Sequence, residues 1–112
     1  MNNLTDALSG ARVAVKQCLG VRAGESVLVV TDSVCQPVGE ALCTAASEEG
    51  ADALLLLMRP RAVHGEEPPE PVAKAMQAAA VCFMPTSRSL SHTVARREAT
   101  AAGARIASMP GI

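Results

Sequence analysis

Segments with the apolar spacing of a helix alternate along this chain with short, almost wholly apolar runs. Over 4–18 apolar residues recur at every third or fourth position, which predicts an amphipathic helix. The run 26–31 is almost wholly apolar and rich in β-branched residues, as expected of a strand that is buried on both faces. The same alternation then predicts, in order, a helix over 36–49, a strand over 53–58, a helix over 72–79, a strand over 80–84, a helix over 91–102 and a strand over 105–108.

Strands that alternate with helices predict a parallel sheet with right-handed crossovers and helices on both faces. A short internal repeat supports this interpretation. In 45–52 and again in 98–105, a helix end is followed by Gly-Ala, a charged residue and a strand. Gly50 and Gly103 are the residues expected to take the positive φ that ends each helix. We therefore predict one α/β domain over 1–112, a three-layer sandwich with a mainly parallel four-stranded sheet that forms a Rossmann-like half.

Composition narrows the classes of function. The 112 residues carry 10 Lys and Arg against 11 Asp and Glu, and Phe83 is the sole aromatic residue. A near-neutral charge and the lack of aromatic side chains on which bases could stack disfavour nucleic-acid binding. No apolar run approaches the roughly 20 residues of a membrane span, and no basic run precedes an apolar segment at the N-terminus. The four cysteines form no Cys-x-x-Cys pair, which favours reduced thiols in a cytoplasmic protein.

Ligands of such sheets bind at the carboxyl ends of the strands, which selects the loops 31–33, 59–70 and 86–93. The third loop gathers hydroxyls, an arginine and a histidine where a helix begins, and a helix N-terminus favours an anion. The candidate ligand-binding residues are Ser87, Arg88, Ser91, His92 and Arg96. The alternative is that Ser89 or Ser91 caps the helix and that the arginines form a solvated face or an interface.

Other motifs give weaker signals. No Gly-x-Gly-x-x-Gly or P-loop follows the first strand, which disfavours dinucleotide binding. His64, Glu66, Glu67 and Glu70 lack the His-Glu-x-x-His spacing, so a proline-rich solvated loop is preferred over a metal site.

Asp32 either orients a ligand hydroxyl or begins a turn. A triad of Ser87, His92 and Asp32 is rejected because no Gly-x-Ser-x-Gly elbow accompanies it. No catalytic residue and no metal ligand are assigned.

Four segments, 20–28, 64–69, 89–99 and 103–112, resemble the N-terminal region of thermophilic-type metallo-aminopeptidases, the leucyl aminopeptidase and aminopeptidase T/S type. The resemblance extends over nearly the whole chain. It implies an α/β N-terminal domain of a larger cytoplasmic enzyme that removes N-terminal residues from peptides with two divalent metals. It also implies that the metal ligands lie in a C-terminal catalytic region that this chain lacks.

The resemblance thus implies a scaffold or substrate-cleft domain that is inactive alone and holds no cofactor of its own. Its implied partners are the missing catalytic region, a second copy in a homodimer, and a peptide substrate in the full-length context only. Two alternatives stay open: a small anion-binding or dimerising α/β module, and the equivalent domain of related iron-dependent dioxygenases that open dihydroxypyridine rings.

Overall fold

Four parallel strands form the middle layer of the molecule, in the order β2-β1-β3-β4. The computed structural model describes residues 3–109. Its elements are α1 (Asn3–Val13), which continues as a π-helical turn (Ala14–Cys18), β1 (Ser26–Asp32), α2 (Gln36–Glu48), β2 (Asp52–Met58), α3 (Glu70–Ala78), β3 (Val81–Met84), α4 (Val94–Ala101) and β4 (Arg105–Ser108).

The helices cover both faces of this sheet, which confirms the predicted three-layer α/β sandwich. Alternate residues of β1 point to opposite sides: Val27 and Val29 pack with α1 and α2, whereas Leu28 and Val30 pack with α3 and α4. All four side chains are buried, as the apolar run predicted. The short strand β3 is likewise buried throughout.

The direction of chain winding reverses between β1 and β3. From β1 the chain passes through α2 to β2 at one edge, and it then crosses back through α3 to β3 on the other side of β1. In open α/β sheets such a reversal marks the place where ligands bind, which here is at the carboxyl ends of β1 and β3.

The two glycines of the internal repeat behave as predicted. Gly50 has φ 83° and Gly103 has φ 106°, in the left-handed region that residues with a Cβ rarely adopt. Each ends a helix and leads through an alanine into the next strand. Within residues 3–109, no helix is both long enough and apolar enough to cross a bilayer.

The boundaries differ from the prediction at two helices. Helix α3 begins at Glu70 rather than at 72, because Pro71 fits the first turn of a helix, where no N–H is needed. Helix α4 begins at Val94 rather than at 91, because Thr93 is its N-terminal cap.

An ion pair closes the amino edge of the sheet. The Arg105 guanidinium donates to both carboxylate oxygens of Glu25 at 2.8 Å, and the backbone N–H of Arg22 donates to the same carboxylate at 2.8 Å. The hydrogen bonds from Arg105, followed by the one from Arg22, lower the pKa of Glu25 from 4.5 to about 2.

This pKa predicts an acid-dependent loss of stability. Because the folded-state pKa lies below the unfolded value, the contribution of Glu25 is complete above pH 4.5 and is lost as the pH falls towards about 2. Glu25→Gln should therefore reduce the pH dependence of the free energy of unfolding in this window, as measured by urea denaturation at a series of pH values. Glu40→Gln, at an exposed carboxylate on α2, is the matched control. Parallel pH profiles for wild type and Glu25→Gln would contradict the assignment.

Candidate functional site

Asp32 organises the loops at the carboxyl end of β1. Its side chain is buried, and its Oδ1 accepts hydrogen bonds from the N–H groups of Val34 at 3.1 Å and Cys35 at 3.0 Å. Its Oδ2 accepts from the N–H and from the hydroxyl of Ser87, both at 2.7 Å. One carboxylate therefore joins the loop after β1 to the loop after β3, across 55 positions of sequence.

The hydrogen bonds decide the charge of this carboxylate. Burial by itself would raise the pKa of Asp32, but the donors from Ser87, Cys35 and Val34 outweigh burial and hold the pKa below its ordinary value. Asp32 is thus ionised at neutral pH with both oxygens engaged. The predicted turn is confirmed. Its four hydrogen bonds hold the loops after β1 and β3 together.

Close packing around Thr31, next to Asp32, holds the same two loops. The Thr31 hydroxyl donates to the carbonyl of Pro85 at 2.7 Å. Helix α2 passes directly over Thr31. The approach is so close that a Cβ placed on Gly39 would lie 2.9 Å from the Thr31 Cβ. The absence of a side chain at Gly39 is what lets α2 approach the end of β1 so closely.

The loop after β2 folds across the loop after β3 and is pinned at two places. The N–H of Ser89 donates to Nδ1 of His64 at 2.8 Å, and the N–H of Gly65 donates to the Ser89 carbonyl at 2.9 Å. Further along, the Glu67 carboxylate accepts from the N–H groups of Val94 at 2.7 Å and Ala95 at 3.1 Å. The three loops that the sequence selected therefore meet at one edge of the sheet.

The beginning of α4 corrects a prediction. The expected caps, Ser89 and Ser91, do not start the helix. Thr93 does, since its hydroxyl accepts from the N–H of Arg96 at 3.1 Å. The Ser91 hydroxyl instead donates to that of Ser108 at the end of β4, at 2.6 Å. The helix begins three residues late because Thr93 and Glu67 supply the acceptors for its first N–H groups.

The five candidate ligand residues have different surroundings. Ser87 binds Asp32, Ser91 binds Ser108, and Arg96 is half-buried in the first turn of α4. Arg88 and His92 are exposed. The helix N-terminus that was expected to attract an anion is occupied by the carboxylate of Glu67.

Candidate metal ligands in the loop 59–69 are already engaged. The N–H of Ala62 donates to the Glu66 carboxylate at 2.7 Å, and Arg61 lies 3.8 Å from its other oxygen. Among residues 3–109, no three His, Cys, Asp or Glu side chains are grouped as a metal site would require. These residues do not fit a metal centre.

Ser87, His92 and Asp32 are not arranged as a catalytic triad. Ser87 hydrogen-bonds directly to Asp32, with no imidazole between them, and the ring of His92 lies on the surface. Because the pKa of Asp32 is held below its ordinary value, the carboxylate is a weak base that fixes the serine in place and does little to activate it as a nucleophile.

The role of Glu67 leads to a measurable expectation. Glu67→Ala should lower the free energy of unfolding by about 1 kcal/mol, because it removes the carboxylate that binds two N–H groups at the start of α4. Chemical denaturation measures the change, and the amide resonances of Val94 and Ala95 should shift most. Glu40→Ala is the matched control at an exposed acid. Equal stability for the two variants would show that Glu67 does not act as the cap.

Comparison with known proteins gives a structural match. No family model and no curated protein matches the chain. The fold is similar to part of the solved structure of 2,5-dihydroxypyridine dioxygenase from Pseudomonas putida KT2440, with a TM-score of 0.72 and 16% identity. The match covers 88% of this chain and 32% of the dioxygenase, so this chain spans about a third of that protein's length.

These comparisons correct the family resemblance. The assignment to metallo-aminopeptidases is wrong, and with it the hydrolase and metallopeptidase function. No family model or curated protein supports it, and the structure reported above as similar is a dioxygenase. At 16% identity the match establishes the doubly wound α/β fold.

Proposed function

We propose that this chain is the α/β scaffold domain of an enzyme related to dihydroxypyridine ring-cleaving dioxygenases, and that its carboxyl-edge loops form one wall of the substrate cleft. The observation that carries the proposal is the similarity of 88% of the chain to about a third of the dioxygenase, at a TM-score of 0.72. This similarity favours the alternative that the sequence left open over the aminopeptidase interpretation.

The hydrogen bonds at the carboxyl edge support a positioning role. Asp32, Ser87 and Glu67 bind groups of the protein itself, so they hold the loops in place and offer few free polar atoms for catalysis. A wall of fixed shape is what pre-organised binding of a rigid aromatic ring requires.

The exposed side chains of the same loops suit a flat, hydroxylated heterocycle. Val34 and Val63 are 65% and 60% exposed, beside loops that also expose Arg88 and His92. Apolar side chains match the faces of an aromatic ring, and a guanidinium matches a phenolate or carboxylate oxygen. The sequence-predicted residues Arg88 and His92 are thus proposed to face the substrate, whereas Ser87 and Ser91 hold the loop.

The metal of such an enzyme would be held elsewhere in a longer protein. The candidate ligands in residues 3–109 do not fit a metal centre, so we assign this domain no part in activating oxygen. The four cysteines form no disulfide and two of them are buried, which supports the proposal of a cytoplasmic location.

An oxygen-uptake measurement tests the assignment of the chain as a scaffold. The purified chain is supplied with Fe²⁺, 2,5-dihydroxypyridine and air, and oxygen consumption is compared with that of the same mixture without protein. We expect equal rates, because the described residues offer no metal site. Sustained oxygen uptake that depends on the chain would contradict a purely structural role.

A further inference from the structure

The edge strand β2 presents an apolar edge with exposed leucines on both of its faces. Leu54 is 58% exposed on the side of α3, and Leu57 is 48% exposed on the side of α2. The segment 53–58 contains no charged residue and no proline, although natural edge strands are usually protected by such residues. A partner that docks on one face covers one of these leucines. A strand added in the plane of the sheet covers both.

The backbone of β2 determines which groups face outward. The N–H of Asp52 donates to the Glu25 carbonyl on the β1 side, and alternate residues of a strand point in opposite directions. The N–H and C=O groups of Ala53, Leu55 and Leu57 therefore point away from β1, where no strand in residues 3–109 lies.

We propose that β2 pairs with β2 of a second copy of this chain, antiparallel about a two-fold axis at Leu55, to form a continuous eight-stranded sheet. In this register Leu55 pairs with Leu55 of the second copy, and Ala53 pairs with Leu57 of the second copy. These are the outward-facing residues, so each pair exchanges both of its hydrogen bonds.

The side chains of this edge complement a second copy. On the α2 side the exposed Leu57 lies opposite the small Ala53 of the second copy, and on the α3 side the exposed Leu54 lies opposite Leu56 of the second copy. Large residues therefore meet small or half-buried ones on both faces.

The charges at the two ends of β2 select the antiparallel direction. Asp52 begins the strand, and Arg59 directly follows it. Antiparallel pairing places Asp52 opposite Met58 of the second copy and one position from Arg59 of that copy, so the acidic end of each strand meets the basic end of the other, twice because of the symmetry. Parallel pairing would bring Asp52 beside the same residue of the second copy, where like charges repel.

Amide hydrogen exchange on the wild-type chain tests the pairing directly. On going from a dilute to a concentrated sample, exchange at Ala53, Leu55 and Leu57 should slow about tenfold or more, while Leu54 and Leu56 are protected at both concentrations. Sedimentation equilibrium should show the mass rise from 11.5 kDa towards twice that value. A monomer at every concentration overturns the proposal, as does protection of the outward amides that is independent of concentration.

A matched pair of variants locates the interface. Leu57→Lys should weaken dimerisation about tenfold or more, because it places a charge against Ala53 of the second copy at both symmetric positions. Val13→Lys is the control, since Val13 is 49% exposed on α1 and away from the edge. Circular dichroism confirms that both variants are folded. Equal dissociation constants for Leu57→Lys and wild type overturn the proposal. If Leu57→Lys does not fold, the wild-type exchange pattern decides the question alone.

Discussion

Asp32→Asn is expected to lower the free energy of unfolding by about 3 kcal/mol or more. The carboxylate accepts hydrogen bonds on both oxygens, from Val34 and Cys35 on one and from Ser87 on the other. An amide has one oxygen, so its NH₂ group must face N–H donors at one of these positions. Because Asp32 is buried and its four hydrogen bonds are at least part-buried, water replaces the lost bonds only in part.

Urea denaturation of the wild type and the variant measures this change. Ser87→Ala is the control, since it removes the hydroxyl but keeps the backbone N–H that also binds Oδ2, and it should lower stability by about 1 kcal/mol. If Asp32→Asn were no less stable than Ser87→Ala, the carboxylate would not be what joins the two loops.

Phe83→Ala is expected to lower the free energy of unfolding by about 3–5 kcal/mol. Phe83 is the only aromatic residue of the chain and is fully buried on β3, in the core beneath α1 and α2. Many of its neighbours in that core are alanines, whose short side chains cannot move into the space that a phenyl ring leaves. The loss of stability caused by the cavity should therefore lie near the upper end of the range found for truncations of core side chains.

Thermal and urea denaturation test this effect against Phe83→Leu, which keeps most of the apolar volume and should lose far less stability. A loss below about 2 kcal/mol for Phe83→Ala would mean that the core collapses around the vacancy or that Phe83 is not central to it.

Local patterns predicted the fold because the elements depend on nearby residues. Period and β-branching mark the strand that ends in Asp32, and Gly50 and Gly103 mark the helix ends by the φ angles that they adopt. The π-helical turn over Ala14–Cys18 left no trace in the sequence, since its apolar spacing fits an α-helix equally well.

The site was less predictable because its contacts are distant in sequence. Asp32 was expected to begin a turn, and it does so through Val34 and Cys35, two and three residues on. Its bond to Ser87 spans 55 positions, and Glu67 reaches the start of α4 across 27 positions. A helix end that takes its cap from another loop cannot be located from its own residues, which is why α4 begins later than predicted.

The aminopeptidase resemblance was wrong for a related reason. Its segment 103–112 includes the glycine turn and strand β4, features that recur wherever a helix leads into a parallel strand. Such segments carry information about fold, whereas function depends on the groups of a site.

Chemical-shift mapping with 2,5-dihydroxypyridine tests the proposed cleft wall most directly. Titration of the ¹⁵N-labelled chain should give saturable shifts in the loops 33–34, 63–64 and 87–92, with smaller shifts for Arg88→Gln but not for Arg22→Gln, at an exposed arginine of the amino edge. Unsubstituted pyridine is the ligand control and should bind more weakly. Shifts centred on the amino edge near Glu25 and Arg105, or no saturable shifts in the carboxyl-edge loops, would contradict the account.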